Sequence, residues 1–247
     1  MSTFYYPVSE LESATTEDGQ YSVNTFDPDL GSITNHDRLI DGTIGSSITG
    51  FGANEVIRVD LGSSVACDFV AVYFSGAESD DLTLYASDTT TDMSTSIESM
   101  TASFVTGWNV FTFSSTTKRY WFLRASGTIS NLTEMIIGSK YTFDVNFDIN
   151  NKVSEEFGTD IVTSYGGQEY ANKRHEPKTT WNWNWSFVTA SMKTSLESFQ
   201  SVVSDHQKFI YYDDTNYHYV RMLKPLDFTE IAYNVYSTNV SLREQLT

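Results

Sequence analysis

Val56-Ile57-Arg58-Val59-Asp60-Leu61, followed by Phe69-Val70-Ala71-Val72-Tyr73-Phe74, is the stretch on which the fold turns. Both runs are β-branched or aromatic, six residues long and bounded by Gly, Ser or Asp, the signature of strands. The same pattern returns at Leu82-Thr83-Leu84-Tyr85, Trp108–Phe113, Arg119-Tyr120-Trp121-Phe122-Leu123-Arg124 and Leu132-Thr133-Glu134-Met135-Ile136-Ile137. No segment with helical period interrupts the series. An antiparallel sandwich or jelly roll is the architecture this spacing predicts.

The surrounding composition narrows the function. Lys and Arg number 15 against 32 Asp and Glu, a net charge of −17, and a field of that sign repels phosphate backbones. Sequence-specific nucleic-acid binding is not expected. The single cysteine, Cys67, cannot form an internal disulfide, so packing alone holds the chain. The opening Met1-Ser2-Thr3-Phe4-Tyr5-Tyr6-Pro7 lacks both the basic start and the apolar run of a signal peptide, and no run approaches the roughly 18 apolar residues of a membrane span. Through Ser139 there are five basic and 18 acidic residues, and from Lys140 ten and 14. That shift marks a boundary, and a length of 247 residues suits two domains. The ranges expected are a polar leader or arm at 1–32, a sandwich at 33–139 and a further domain at 140–247.

In order along the first half, Leu39-Ile40-Asp41-Gly42, Val59-Asp60-Leu61-Gly62, Tyr85-Ala86-Ser87-Asp88, Trp108-Asn109-Val110-Phe111 and Arg119–Arg124 resemble the discoidin-like domain, also called the coagulation-factor C-type domain. The resemblance covers about residues 33 to 139 and implies an eight-stranded jelly roll. It also implies a role in binding glycans or lipid headgroups through loops at one end. Loops suited to that role carry Asn35, His36 and Asp37, then Phe51 between two glycines, then Glu78. The plainer reading is that His36 and Phe51 cap strand ends in a spacer.

The second half has another rhythm. In Tyr141–Asp148, Tyr141, Phe143, Val145 and Phe147 alternate with polar residues, which predicts a half-buried strand. Thr180–Phe187 does the same and sets Trp181, Trp183, Trp185 and Phe187 on one face. Met192, Leu196, Phe199, Val202 and Val203 then fall at helical steps, so one helix over about 190–206 supplies the cover. Strands are expected at Phe209–Tyr212, Tyr217–Leu223 and Ile231–Tyr236, the last continuing toward Leu242. The result is an α+β unit, a sheet or small barrel with one packed helix. Ser154–Pro177, with Gly158, Gly166 and Gly167, reads as a long loop.

Tyr165–Arg174, the Trp181–Phe187 strand, Leu196-Glu197-Ser198-Phe199, Phe209–Asp214 and Thr238–Glu244 resemble the distal-tail and minor-tail proteins of long-tailed bacteriophages and gene transfer agents. The three tryptophans stand where that family has one. The resemblance implies a tail-tube-like sheet or barrel and a homo-oligomeric, hexamer-like ring that joins the tail tube to hub and fibres, in a virion assembled in the host cytoplasm. DNA would pass its acidic lumen without specific binding. Tyr165, Glu169, Lys173 and Arg174 are the expected intersubunit contacts, and Trp181, Trp183, Trp185, Leu196 and Phe199 the expected core.

Catalytic chemistry is not indicated. His36, His175, His206 and His218 form no metal-ligand spacing, and there is no GxSxG elbow, P-loop or dinucleotide fingerprint. Asp27, Asp29 and Asp41 do not follow the order of a calcium loop, so neither a metal nor a cofactor is expected. Asp80-Asp81 and Asp213-Asp214 are adjacent pairs whose members point to opposite faces of a strand, unlike the facing acids of a glycosidase. The expectation is a non-enzymatic structural protein of a phage tail that projects its sandwich outward, with a soluble glycan-binding lectin carrying an oligomerisation domain as the alternative.

Overall fold

The computed structural model describes residues 2–100, 103–149 and 151–245 of the chain, so Met1, Leu246 and Thr247, at the ends of the expected ranges, lie outside the described residues. It is mainly β with one α-helix. In chain order the strands are β1 (Thr3–Pro7), β2 (Thr15–Ser22), β3 (Thr25–Asp27), β4 (Glu55–Phe74), β5 (Leu82–Ser87), β6 (Ser96–Met100), β7 (Gly107–Ala125) and β8 (Leu132–Thr142). There follow β9 (Lys152–Thr163), β10 (Glu169–Thr189), the helix α1 (Ala190–Val203), β11 (Lys208–Tyr212), β12 (Tyr217–Met222), β13 (Thr229–Ala232) and β14 (Val235–Glu244). Among the described residues there are two compact units, one of residues 2–4 with 141–149 and 151–245, the other of 5–100 with 103–140, the unit of Tyr5–Lys140.

In the unit of Tyr5–Lys140, β4 and β7 are the frame. The runs Val56–Leu61 and Phe69–Phe74, expected as separate strands, are the two halves of β4, and Trp108–Phe113 and Arg119–Arg124 are the two halves of β7. The polar stretches between the halves remain strand because they pair with each other, Val65 opposite Lys118 and Cys67 opposite Thr116. The first half of β4 lies between β2 and β7, and the second between β8 and β7, all antiparallel. A register shift after Asp60 bends β4. There the Asp60 carboxylate accepts the Gly62 N–H at 2.7 Å and two Arg119 N–H groups at 2.7 and 2.9 Å. Phe26, Val56, Tyr85, Met93, Tyr120 and Phe122 form a core cluster.

Residues 1–32 are not a free leader. β1, β2 and β3 are folded, β2 pairs with β4 from Thr15 opposite Asp60 to Gln20 opposite Glu55, and Tyr5 packs on Phe69 at 5.2 Å. These residues read as polar because β2 exposes most of its side chains while its backbone completes the ladder. Gly138 of β8 is required by closeness to β1: a Cβ there would meet Tyr6 O at 2.1 Å and a Pro7 backbone carbon at 2.9 Å.

The other unit is built on aromatic rings. Trp181, Trp183 and Trp185 are buried, as their alternation predicts, under Phe143, Phe147, Tyr211 and His218 rather than under the helix expected to cover them, and Met192, Leu196, Phe199 and Val203 of α1 are also buried. Val202 is only partly covered. Thr189 caps the helix by accepting the Met192 N–H at 3.1 Å, and Ser204, at φ 50°, ends it three residues before 206. Phe187 does not join the tryptophans. A register shift between Trp185 and Val188 hands the inward position to Val188 and leaves Phe187 51% exposed. Tyr141–Asp148 is strand only to Thr142; beyond it Phe143 and Phe147 pack on Trp185 and Trp183 from an irregular segment. Ile231–Tyr236 is not one strand: Ile231 and Ala232 end β13, Val235 and Tyr236 begin β14, and Tyr233 and Asn234, the latter at φ 57°, make the turn between them. The expected loop Ser154–Pro177 is a hairpin of β9 and β10.

Phe4 completes this core, with its ring 4.7, 4.8 and 5.1 Å from those of Phe143, Phe199 and Phe209. Phe4→Ala is expected to destabilise this unit by about 3–5 kcal/mol, read by chemical denaturation followed through the tryptophans. Gly138→Ala is expected to cost about 1–3 kcal/mol in the other unit, because the clash is with backbone. Asp60 adds a pH dependence. The hydrogen bonds from Arg119 hold its carboxyl below the usual range, so its contribution is complete above the ordinary aspartate value and is lost as pH falls through the lower folded value. Arg119→Gln is expected to move the Asp60 titration midpoint upward by NMR.

Candidate functional site

Two loops meet at one end of the unit of Tyr5–Lys140. The first leads into β4 and the second joins β7 to β8. Thr34 and Thr49 exchange backbone hydrogen bonds at 2.8 and 3.2 Å, the Ile48 N–H donates to Leu132 O at 3.1 Å and the Ile129 N–H to Phe51 O at 2.8 Å. Gly50, at φ 84°, allows the chain to turn where a Cβ would meet Ser32 O at 2.7 Å. The segments enclose a hollow of about 230 Å³. Buried Ile48, Phe51 and Ile129 line it, and exposed Thr49, Thr128 and Ser130 offer hydroxyls.

A polar and aromatic cluster lies where β2, β5, the end of β7 and the approach to β4 come together, and none of its residues lines the hollow. Arg124, at the end of β7, lies over the Tyr21 ring at 3.9 Å and donates to the Asn54 side-chain oxygen and, at 3.4 Å, to the Tyr85 hydroxyl. Tyr21 donates its hydroxyl to Asn24 at 2.7 Å, and its backbone N–H is held by Asn54 O at 2.8 Å. Tyr21 and Arg124 are both half-buried, so ring and guanidinium are fixed yet reachable. The cluster can offer a ring face to the C–H groups of a ligand, and fixed guanidinium and amide donors to its hydroxyls. Sequence reasoning missed these residues, which are drawn from positions between 21 and 124 and from four different strands or their approaches.

The residues singled out from the sequence occupy different places. Phe51 is not an exposed platform: it is 1% exposed and anchors its loop to Ile129. Glu78 accepts the N–H groups of Ser130 and Asn131 at 2.8 and 2.7 Å, and so braces the loop after β7. Asn35, at φ 59°, precedes a short 3-10 helix, His36–Ile40. His36 is held by Thr16 at 2.9 Å and Asp18 at 3.5 Å. Asp37 borders a second hollow of about 430 Å³ with Leu11, Glu12, Ile40 and Asp41. Asp27 caps a turn by accepting the Asp29 N–H, while Asp41 accepts the Thr43 N–H at 2.7 Å. Among the described residues no group of three or more His, Cys, Asp and Glu could hold a metal ion, and no helix is long and apolar enough to cross a membrane. Burial pushes the Cys67 thiol up to about 12, which makes it inert as a nucleophile.

Tyr165 lies in the turn between β9 and β10, and Glu169, Lys173 and Arg174 on β10 beyond it. Trp181, Trp183, Trp185, Leu196 and Phe199 are all buried.

No protein-family model matches the chain, and no curated protein matches it in sequence. Solved structures of similar shape exist. Chitosan-binding module 1 from a chitosanase/glucanase of Paenibacillus sp. IK-5, in a V110M variant, is 20% identical at a TM-score of 0.40, covering 54% of this chain and 98% of its own. CBM32-1 from a family 31 glycoside hydrolase of Clostridium perfringens is 16% identical at 0.41, with 54% and 98% covered. The family 32 module of C. perfringens NanJ, in complex with galactose, is 10% identical at 0.39, with 57% and 100% covered.

Glu78→Ala is expected to cost about 0.5–1.5 kcal/mol and to speed amide exchange at Ser130 and Asn131, because one exposed and one half-buried backbone donor lose a charged acceptor. Unchanged exchange at those amides would count against the bracing role.

Proposed function

We propose that the unit of Tyr5–Lys140 is a discoidin-like jelly roll that binds glycan, without catalysis, at the loop end that carries the cluster of Tyr21, Asn54 and Arg124 and the hydroxyl-rimmed hollow. The observation that carries this reading is the cluster itself. Arg124 spans a tyrosine ring, a tyrosine hydroxyl and an asparagine amide, and so holds fixed the group types that recognise a sugar ring and its hydroxyls. A small hollow with an apolar floor and a few convergent polar groups is the usual form of a ligand site.

Glycan-array screening of the full-length protein, followed by calorimetric titration of any hit, tests it. Tyr21→Ala is expected to weaken binding about tenfold, the loss of one aromatic contact, and also to lower the melting temperature because the ring packs on the core cluster at Tyr85, so affinity is compared well below that temperature. Absence of binding to every glycan, or equal affinity of the variant, overturns the reading.

A second reading, a ring-forming subunit of a bacteriophage tail, has one observation in its favour. Among the described residues the Glu169–Thr179 part of β10 has β9 but not β14 as a partner, and this part of the hairpin exposes apolar side chains. The protein's presence in purified virions supports this reading, and its absence from them removes it.

A further inference from the structure

Two arginines of the unit of Tyr5–Lys140 are matched by carboxylates within it. Arg58 pairs with Glu17, and Arg119 donates to both oxygens of Asp60 at 2.7 and 2.9 Å. Arg124 is not matched in this way. Among the described residues no carboxylate pairs with it, and its hydrogen bonds go to two neutral oxygens, those of the Asn54 side chain and, at 3.4 Å, the Tyr85 hydroxyl. The Tyr21 ring, 3.9 Å from the guanidinium carbon, is neutral as well. A positive charge is thus held half-buried with nothing to neutralise it, in a chain whose 32 acidic residues outnumber its 15 basic ones.

The donors that remain show what the charge faces. A guanidinium carries five N–H groups in a rigid fork. One terminal nitrogen of Arg124 serves Tyr85, the other serves Asn54, and Nε is buried without a partner. One N–H is left on each terminal nitrogen, and the pair of terminal nitrogens is the part of the fork that a carboxylate can take bidentately. Asn54, Tyr85 and Tyr21 hold the fork in place without cancelling its charge.

We propose that the ligand of this site is an acidic glycan, one whose sugar carries a carboxylate, and that Arg124 is the residue that selects it. The proposal rests on the glycan-binding reading above and adds to it the charge of the sugar. The kind of acid is limited by the number of cations. The cluster offers one guanidinium on a chain of net charge −17, so a densely sulfated or phosphorylated polymer meets one attraction and many repulsions. A single carboxylate held against Arg124 feels chiefly its own partner, because charges beyond about 8 Å are screened at physiological salt. Uronic and sialic acids share that carboxylate.

A glycan array carrying uronic-acid, sialic-acid, sulfated and neutral glycans, followed by calorimetric titration of the full-length protein with the strongest acidic hit and its methyl ester, tests it. Esterification removes the charge and leaves the sugar ring. The hits are expected to be carboxylated glycans, and their identity tells uronic from sialic acid. The free acid is expected to bind about tenfold more tightly than its ester, the effect of one charge-assisted pair at a partly exposed site. In R124Q that ratio is expected to fall to about one, and in R124K, which keeps the charge and loses the fork, to lie between. The ratio is the readout, so a general loss of affinity from loosening Asn54 and Tyr85 leaves it unmoved, and if R124Q fails to fold the wild-type comparison still decides. Hits confined to neutral glycans, tighter binding of sulfated ones, an ester bound as tightly as its acid, or an unchanged ratio in R124Q overturns the proposal and leaves the glycan reading standing. No binding to any glycan overturns both.

Discussion

The ring of Phe4 lies against Phe143, Phe199 and Phe209, and its neighbour Tyr5 lies on Phe69. Phe4 belongs to one compact unit and Tyr5 to the other. The aromatic cluster around Phe4 depends on that placement. Phe199 of α1 and Phe143, which itself packs on Trp185, lie against the Phe4 ring, and a void of that size would forfeit contacts on every side. The fold of the later unit is therefore fixed in part by residues at the far end of the sequence, a non-local dependence of the kind that slows folding.

In the other unit the equivalent constraint is the length of β4 and β7. Two strands of 20 and 19 residues, paired along both halves, hold the loops at their ends without help from a disulfide. Phe51 and Glu78 extend that rigidity outward, one by burying its ring beneath the loop and the other by accepting two backbone donors across from it. A binding loop held in this way loses little freedom when a ligand arrives, which is how modest contact areas yield measurable affinity.

Where the sequence was legible, a single periodicity decided the matter. Trp181, Trp183 and Trp185 alternate because one face of β10 is buried, and Met192, Leu196, Phe199 and Val203 recur at helical steps because one face of α1 is. Where it misled, the signal came from something other than burial. The hairpin of β9 and β10 read as a loop because it is exposed on both faces, and so carries no amphipathic pattern, while Gly158, Gly166, Gly167 and Pro177 mimic turn composition. Phe51 sits between two glycines and read as exposed, yet those glycines serve the turn that buries it. The Tyr21–Asn54–Arg124 cluster left no trace in any window, since its members meet only through the pairing of β2, β4 and β7.

Binding strength follows from how the polar groups of the site are already paired. At the loop end, Arg124 already satisfies Asn54 and Tyr85, so a sugar hydroxyl drawn to either must replace a hydrogen bond that exists rather than fill a vacancy. Each exchange is worth little, and a single shallow site of this kind is weak. Where several sites of this kind are presented together, the second contact forms at an effective concentration set by their spacing. A site built from mutually paired polar groups therefore gains more from repetition than from any one added contact.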